Sequence, residues 1–448
     1  MTAAAATTAE RDPMAALKAA IEHADSRPYQ GKVLEVRGQT IRAWLPGARL
    51  GEYGHIEPLS DRRQRIPVEV VGFESEHAWL APMANVNGIS AGSPVLRTGR
   101  EFHIAVGHGL LGGVIDAFGR SLDARSPIHS SELELRPVDV SAPPAIYRRR
   151  IQRPFFLGVR AIDGMLTVGQ GQRISIQGEA GAGKSSLLAS MLAGAKADVI
   201  VLALIGERGR EVREWVEDAM TAQTRSRTVT VVATSDRPAM ERVKAAATAT
   251  SVAEYFRDLG KHVLLLVDSV TRYARAWREI GLAAGEPPTR RGYPPSVFAA
   301  LPDLMERAGP GRVGSITGIY TVLTESEGEA DPIAEEVTSI VDGHIVLDAQ
   351  LARRNRFPAI DILKSRSRLM EKIVSSNHSK AAAQVRELMA RYAQIELLMR
   401  LGEYVPGTEP ETDRAIERHE AIEHFLRQDR DSISTFAETE RQLRGLIS

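Results

Sequence analysis

Gly178-Glu179-Ala180-Gly181-Ala182-Gly183-Lys184-Ser185 is the stretch on which the fold turns. It fits the phosphate-loop pattern of Gly, four residues, then Gly-Lys-Ser/Thr, which carries meaning only between a strand and a helix. Both flanks are expected here: a strand over Ile174–Gln177 and a helix from near Ser186. The glycines Gly178, Gly181 and Gly183, with Ala182, let backbone N–H groups curl around the β- and γ-phosphates of a nucleotide, and the helix start adds a favourable field. Lys184 supplies positive charge, Ser185 a magnesium ligand and Ser186 a further contact for the nucleotide. The alternative, a glycine-rich turn that binds nothing, leaves that context unexplained.

Outward from the loop, apolar runs alternate with helical patterns from about Pro154 to Ala349. Arg173–Gln177, Val199–Ile205, Thr228–Ala233, His262–Asp268, Ser315–Leu323 and His344–Asp348 are apolar on both faces, as strands of a parallel sheet covered by helices are. Two of these runs end in acids. After Val199–Ile205 comes Gly206-Glu207-Arg208-Gly209-Arg210-Glu211, and a carboxylate at a strand's carboxyl end sits where ligands bind in an α/β sheet. Glu207, the first acid, is the better candidate to polarise an attacking water, although spacing alone also fits a surface ion-pair patch. Val263–Val267 leads straight into Asp268, positioned to hold magnesium beside a phosphate loop or to cap the following helix.

The flanks differ in texture. Short runs of β-formers between Gly31 and Val95 suggest a small barrel. Its eight basic and seven acidic residues between Arg27 and Leu96 make no electrostatic funnel for nucleic acid. Gly107–Asp123 and the proline-rich Pro137–Arg153, with Arg148, Arg149 and Arg150, read as a connector with a solvated triple arginine. Beyond Ser376 the pattern turns helical. Val385, Leu388, Met389, Tyr392, Ile395, Leu398 and Met399 share one face, the Met389/Met399 stripe reads as core, and a second helix is expected over Thr412–Leu426. At the start, an Ala/Thr-rich tail precedes Met14, Leu17 and Ile21 at helical spacing, a frayed terminal helix or one that docks a partner. The resulting division is 1–26, a tail and short helix; 27–96, a β-barrel for oligomerisation; 97–153, a connector; 154–375, the nucleotide domain; and 376–448, a helical domain.

Composition narrows the classes further. The 448 residues leave room for roughly three domains at about 100 to 200 residues each. The 57 Lys and Arg balance 57 Asp and Glu, so overall charge demands no nucleic-acid or acidic-lipid partner. The absence of cysteine excludes disulfides, thiolate metal sites and a catalytic thiol, and suits a reducing compartment. The longest strongly apolar run, Val199–Ile205, falls well short of the roughly 20 residues a membrane helix needs, so any membrane contact is expected to be peripheral.

GERGRE at Gly206, LLLVDS at Leu264, GEPPTRRGYPPSVF at Gly285, DGHIVLD at Asp342 and PAID at Pro358 together resemble the export ATPases of type III protein secretion, relatives of the catalytic-head subunits of rotary ATP synthases. The resemblance spans about Lys32 to Leu426. It implies an α/β fold with a RecA-type P-loop domain, a small N-terminal β-barrel and a C-terminal α-helical domain. It also implies hydrolysis of ATP with Mg2+, held by Ser185 and Asp268, to energise protein unfolding, chaperone release and export. Glu207 becomes the catalytic carboxylate and Arg208 lies near the γ-phosphate. Arg368, in the Ser-Arg pair of LKSRSRLM, is the arginine that reaches a neighbouring subunit's site, here flanked by the unusual charges of Lys364 and Arg366. Phe357, just before PAID, stacks on adenine, with Tyr404 as its opposite wall or as helical-domain core. The loop Arg290–Pro295 resembles the segment facing a ring's central channel.

The implied partners are a homohexamer, a central stalk, peripheral stator proteins and chaperone–effector complexes, at the cytoplasmic face of the inner membrane. The injectisome branch is favoured over the flagellar one on IYTVLTESEGEADPIAEEVTSIVDGHIVLD. A non-catalytic ring subunit has no need of Glu207, and its alternative is further disfavoured by 10 basic and 13 acidic residues dispersed over 376–448. A hexameric RNA translocase needs a basic barrel, which the charge count above disfavours.

Overall fold

Alternating inward residues close the first segment into a barrel. In a computed structural model, residues 30–61, 63–123, 128, 132–324 and 331–447 are described, so the expected tail and short helix lie outside the described residues. Six strands, β1 (Gln30–Arg37), β2 (Thr40–Trp44), β3 (Tyr53–Ile56), β4 (Ile66–Glu74), β5 (His77–Pro82) and β6 (Pro94–Arg97), pair in the closed order β1-β2-β5-β4-β3-β6. Val33, Ile41, Ala43, Val68, Val70 and Leu80 fill the interior. Closure removes the free edges that an open sheet of this size would expose. A buried lysine fixes the barrel to the rest: Lys244, 2% exposed, pairs with Glu69 of β4 and lies 2.6 Å from Asp139.

The main sheet comprises β7 (Val114–Asp116), β8 (Arg173–Gly178), β9 (Val199–Ile205), β10 (Thr228–Ala233), β11 (His262–Asp268), β12 (Ser315–Leu323), β13 (Gly343–Leu347) and β14 (Ile360–Ser367). Their order is β14-β13-β8-β12-β11-β9-β10-β7, with the two-residue strand Gly309–Pro310 beside β12. Pairing along this path is parallel except for β14. β9 shows why the runs are apolar throughout. Val199, Val201, Ala203 and Ile205 pack on one side, with residues of the helix Ala239–Asp258, while Ile200, Leu202 and Leu204 pack on the other, with Leu187, Leu188 and Met191. Each face therefore needs its own apolar set, which removes the alternation of a half-exposed strand.

Two parts of the expected connector are built into the body of the protein. β7 extends the sheet by pairing with β10, and the strands His103–Gly107 and Leu133–Pro137 form an antiparallel ribbon. The triple arginine is not a solvated linker. Arg148 Nη1 lies 2.9 Å from Glu306 Oε2, and Arg149 donates to the carbonyl oxygens of Gly311, Val313 and Gly314, so these cations stitch the segment to the nucleotide domain.

The C-terminal helices are α1 (Ser376–Leu401), α2 (Pro410–Leu426) and α3 (Phe436–Gly445). Ala381, Ala382, Val385 and Leu388 of α1 are buried, and Met389 and Tyr392 pack against them. The stripe is core only this far: Leu397 is 65% and Leu401 62% exposed, because α1 runs past the body it packs on. With 26 residues at about 1.5 Å each, it is roughly 39 Å long.

Candidate active site

Three strand ends meet at one cavity of about 620 Å³, lined by Lys184, Ser185, Glu207, Arg208, Asp268 and Arg272 among others. β8 runs into Gly178 and the loop, and the next helix begins at Lys184, two residues ahead of the sequence expectation. Gly183 there has φ +86°, and a Cβ on it would stand 3.3 Å from the Phe357 ring, so glycine is needed for both conformation and contact. Lys184 Nζ reaches Asp268 Oδ1 at 2.6 Å, and Thr321 of β12 donates to the same oxygen at 2.7 Å. Asp268 is buried with these two partners at the end of β11.

Glu207, 5% exposed, follows β9 and is not part of a surface patch. Arg210 pairs instead with Glu214, at 3.7 Å, along the helix Gly209–Glu217. Beside Glu207 stands an arginine that motif reading missed: Arg272 Nε lies 3.2 Å from Glu207 Oε1, and Nη2 donates to Oε2 at 3.3 Å. Its Nη1 also donates to the Gly206 carbonyl, and a Cβ on Gly206 would come within 2.9 Å of the Arg272 chain. The signal was present in Asp268-Ser269-Val270-Thr271-Arg272. Ser269 caps the helix Val270–Ala283 by accepting from Arg272 N, which turns the arginine back over the strand ends.

The two strand-end acids differ in charge. Burial raises the Glu207 carboxyl to about 8, helped by a hydrogen bond with Glu211 and by the Asp268 charge, against the opposing pull of Arg272 and Lys184. Glu211 is shifted the other way, held below its usual range by the same hydrogen bond. Arg208, exposed at the start of the helix Gly209–Glu217, lines the cavity.

A second cavity, of about 650 Å³, opens on the other side of the loop between Gly183, Ser186, Phe357 and the C-terminal segment 427–432. Phe357 is 40% exposed, and its carbonyl accepts from Gln428 N at 2.9 Å. Arg356 ties the same turn to Glu423 of α2 at 2.9 Å. Tyr404 is not the opposite wall. It sits beyond the far end of α1, where its hydroxyl donates to Asp413 at 2.9 Å, and the wall is formed by the 427–432 segment instead.

Arg368 stands apart from its own loop. β14 ends beside Gly343, the start of β13, and Asp342 N bonds Arg173 O at the start of β8, whereas the loop follows the end of β8. That strand has six residues, so the two lie roughly 15 to 20 Å apart along it. Arg368 is exposed, with Nη2 3.3 Å from Thr338 O. Lys364 is held by Asp361, at 3.2 Å, and by Asp348, at 3.8 Å. In the Arg290–Pro295 loop, Arg290 pairs with Glu335 at 3.1 Å.

Comparison with known proteins adds the identity that this geometry leaves open. The profile of the ATP synthase alpha/beta family nucleotide-binding domain matches residues 158–367, and that of the T3SS EscN ATPase C-terminal domain matches 374–445. A type 3 secretion system ATPase of Sinorhizobium fredii is 51% identical over 93% of this chain and 91% of its own length. The chain belongs to the type 3 secretion system ATPases. A second member, from Xanthomonas euvesicatoria, is 48% identical over 91% of this chain and 92% of its own, while the flagellum-specific ATP synthase of Bacillus subtilis is 44% identical over 95% and 97%. The assembled ATPase EscN of the enteropathogenic E. coli type III secretion system superposes with a TM-score of 0.89 at 49% identity, covering 93% of this chain and all of that one. The expected barrel, P-loop domain and helical domain are thus the fold of this family. The protein is an ATP hydrolase of type III secretion rather than of the flagellar branch.

Proposed function

We propose that ATP is hydrolysed in the cavity between Lys184, Glu207 and Asp268, and that Arg368 completes the site from the neighbouring subunit of a ring. The observation that carries this reading is the placement of Glu207, Asp268 and Lys184 around one cavity while Arg368 lies at the opposite edge of the sheet. Lys184 and Arg208 bind the phosphates, and the loop backbone from Gly178 to Ser186 cradles them. Adenine stacks on Phe357. Glu207, once ionised, takes a proton from water as the water oxygen bonds to the γ-phosphorus and the bond to the bridging oxygen breaks, giving ADP and phosphate. Arg272 keeps the Glu207 carboxylate aimed at the cavity.

Mg2+ fits this donor set. Among the described residues no group of three His, Cys, Asp or Glu could hold a metal ion by itself, so Ser185 and Asp268 would hold the cation together with the nucleotide, a hard oxygen donor set that suits magnesium. Its chemistry there is to neutralise phosphate charge.

The ring reading is supported by the assembled EscN structure, and a stalk partner by the complex of EscN with its central stalk EscO, which superposes with a TM-score of 0.85. We assign this chain to a homohexamer that grips a central stalk through the Arg290–Pro295 loop. It joins peripheral stator proteins and receives chaperone–effector complexes on the cytoplasmic side of the inner membrane, where hydrolysis drives chaperone release and unfolding. No described helix is long and apolar enough to cross a membrane. Lys184→Ala should abolish ATP binding, whereas Glu207→Gln should bind ATP within about three-fold of the unmodified chain and lose about 10²- to 10⁴-fold in turnover. Near-normal hydrolysis by Glu207→Gln would remove the carboxylate from its role.

A further inference from the structure

The phosphate cavity and the Phe357 cavity meet, and among their lining residues only Ser186 and Arg430 border both. With adenine on Phe357 and the terminal phosphates at Lys184, the part of the nucleotide that crosses this junction is the ribose and the α-phosphate. Ser186 belongs to the loop helix, but Arg430 comes from the C-terminal domain, in the link between α2 and α3. A guanidinium offers several donors to phosphate oxygens in a planar fork.

The main chain around Arg430 is fastened, and its side chain is not. Ser190 of the loop helix donates to the Arg430 carbonyl at 2.9 Å, and Gln428 Nε2 donates to Gly158 O at 2.7 Å and Ser432 O at 2.6 Å. Arg430 itself is exposed, and no ion pair or side-chain hydrogen bond of its guanidinium is found among the described residues. Its two acidic chain neighbours, Asp429 and Asp431, do not pair with it. A cation tethered by its backbone to the phosphate-binding helix, and left without a protein anion, is arranged to meet one supplied by a ligand.

We infer that Arg430 contacts the α-phosphate of the bound nucleotide, so that the C-terminal domain itself holds the nucleotide and α2 and α3 sense whether the site is filled. This rests on the ATPase site proposed above. The contact adds affinity to any adenine nucleotide that carries an α-phosphate and none to the isolated ends of the molecule.

The test compares AMP, ADP, adenosine and inorganic pyrophosphate as ligands of the full chain and of Arg430→Ala, by calorimetry or by competition against a fluorescent nucleotide. Because none of these fastening bonds uses the Arg430 side chain, the variant keeps them. AMP and ADP should each bind roughly five- to thirty-fold more weakly to Arg430→Ala, the range of a charge-assisted contact in a partly exposed site. Adenosine and pyrophosphate should change by less than about two-fold, and Arg430→Lys should recover part of the loss. In parallel, ADP should slow amide exchange over 427–434 in the unmodified chain and much less in Arg430→Ala. Unchanged AMP and ADP affinity would overturn the assignment, and so would an equal loss for pyrophosphate or adenosine. A failure of the unmodified chain to bind ADP would overturn the ATPase site as well, which separates the two claims.

Discussion

The two edges of the central sheet are built in opposite ways. At the carboxyl edge, Lys184, Asp268, Glu207 and Arg272 are paired with one another and largely withdrawn from water. At the amino edge, Arg368 is exposed and, among the described residues, its guanidinium is held by one long bond to a carbonyl oxygen. The first arrangement is costly to build and fixes the positions of its groups before a substrate arrives, which is what electrostatic catalysis requires. The second leaves a cation free for a surface not supplied by its own chain. In the divided site proposed above these are its two halves, kept apart by the chain's own fold, and on that proposal a folded monomer should be a poor enzyme.

Removing the loose half gives the largest expected effect. Arg368→Ala should lower kcat by about 10³-fold or more, as loss of such a finger does elsewhere, with ATP affinity within about two-fold. Steady-state assays and equilibrium binding on assembled rings check this, and a full rate from Arg368→Ala rings would end the assignment. Arg366→Ala in the same assay sharpens it by testing the neighbouring cation.

The tight half is tested through pH. Glu207 must be ionised to accept a proton, and its carboxyl sits at about 8 against an ordinary 4.5. In the free enzyme kcat/KM should therefore rise with pH through about that value. Stability should move the other way. Between these two values the folded chain holds a proton that the unfolded chain has lost, so this contribution is full below the lower one and fades as pH rises to the upper one. Glu207→Gln cannot ionise, and its Tm should gain on that of the unmodified chain as pH rises across the window. A gap in Tm that stays constant with pH would place Glu207 in an ordinary, water-rich setting.

The smallest effects separate the two aromatics. Phe357→Ala should raise KM for ATP by roughly ten-fold through lost stacking and buried area, with kcat little changed. Tyr404→Phe should leave KM within about two-fold, since its hydroxyl serves Asp413 and not the nucleotide cavity. Equal effects from the two would return Tyr404 to the nucleotide.

The tight edge was legible in part from local pattern, whereas Arg368 at the loose edge was named only through the family resemblance. A phosphate loop, Glu207 and Asp268 each follow an apolar run, and a strand's end is a fixed place, so local pattern locates them. Arg272 escaped because its role depends on a helix turning back over two strands that are far apart in sequence. The fate of the arginines 148 and 149 escaped for the same reason: carbonyl oxygens at 311 to 314 are long-range partners that no spacing encodes. Tyr404, left open between the adenine wall and the helical-domain core, depended on a quantity that periodicity does not supply, the length of α1 beyond the surface it packs on. Residues at the ends of short elements can be read from the chain; those placed by packing between elements cannot.

The most direct test of a site divided between two subunits is a mixing experiment. Arg368→Ala and Glu207→Gln chains are assembled separately and together, with subunit exchange verified by fluorescence transfer between labelled chains, and ATP hydrolysis is measured per ring. Each variant alone should be nearly inactive. Mixed rings should recover part of the unmodified rate, because some interfaces then join an intact Glu207 to an intact Arg368. Exchange without any recovered activity would contradict the account.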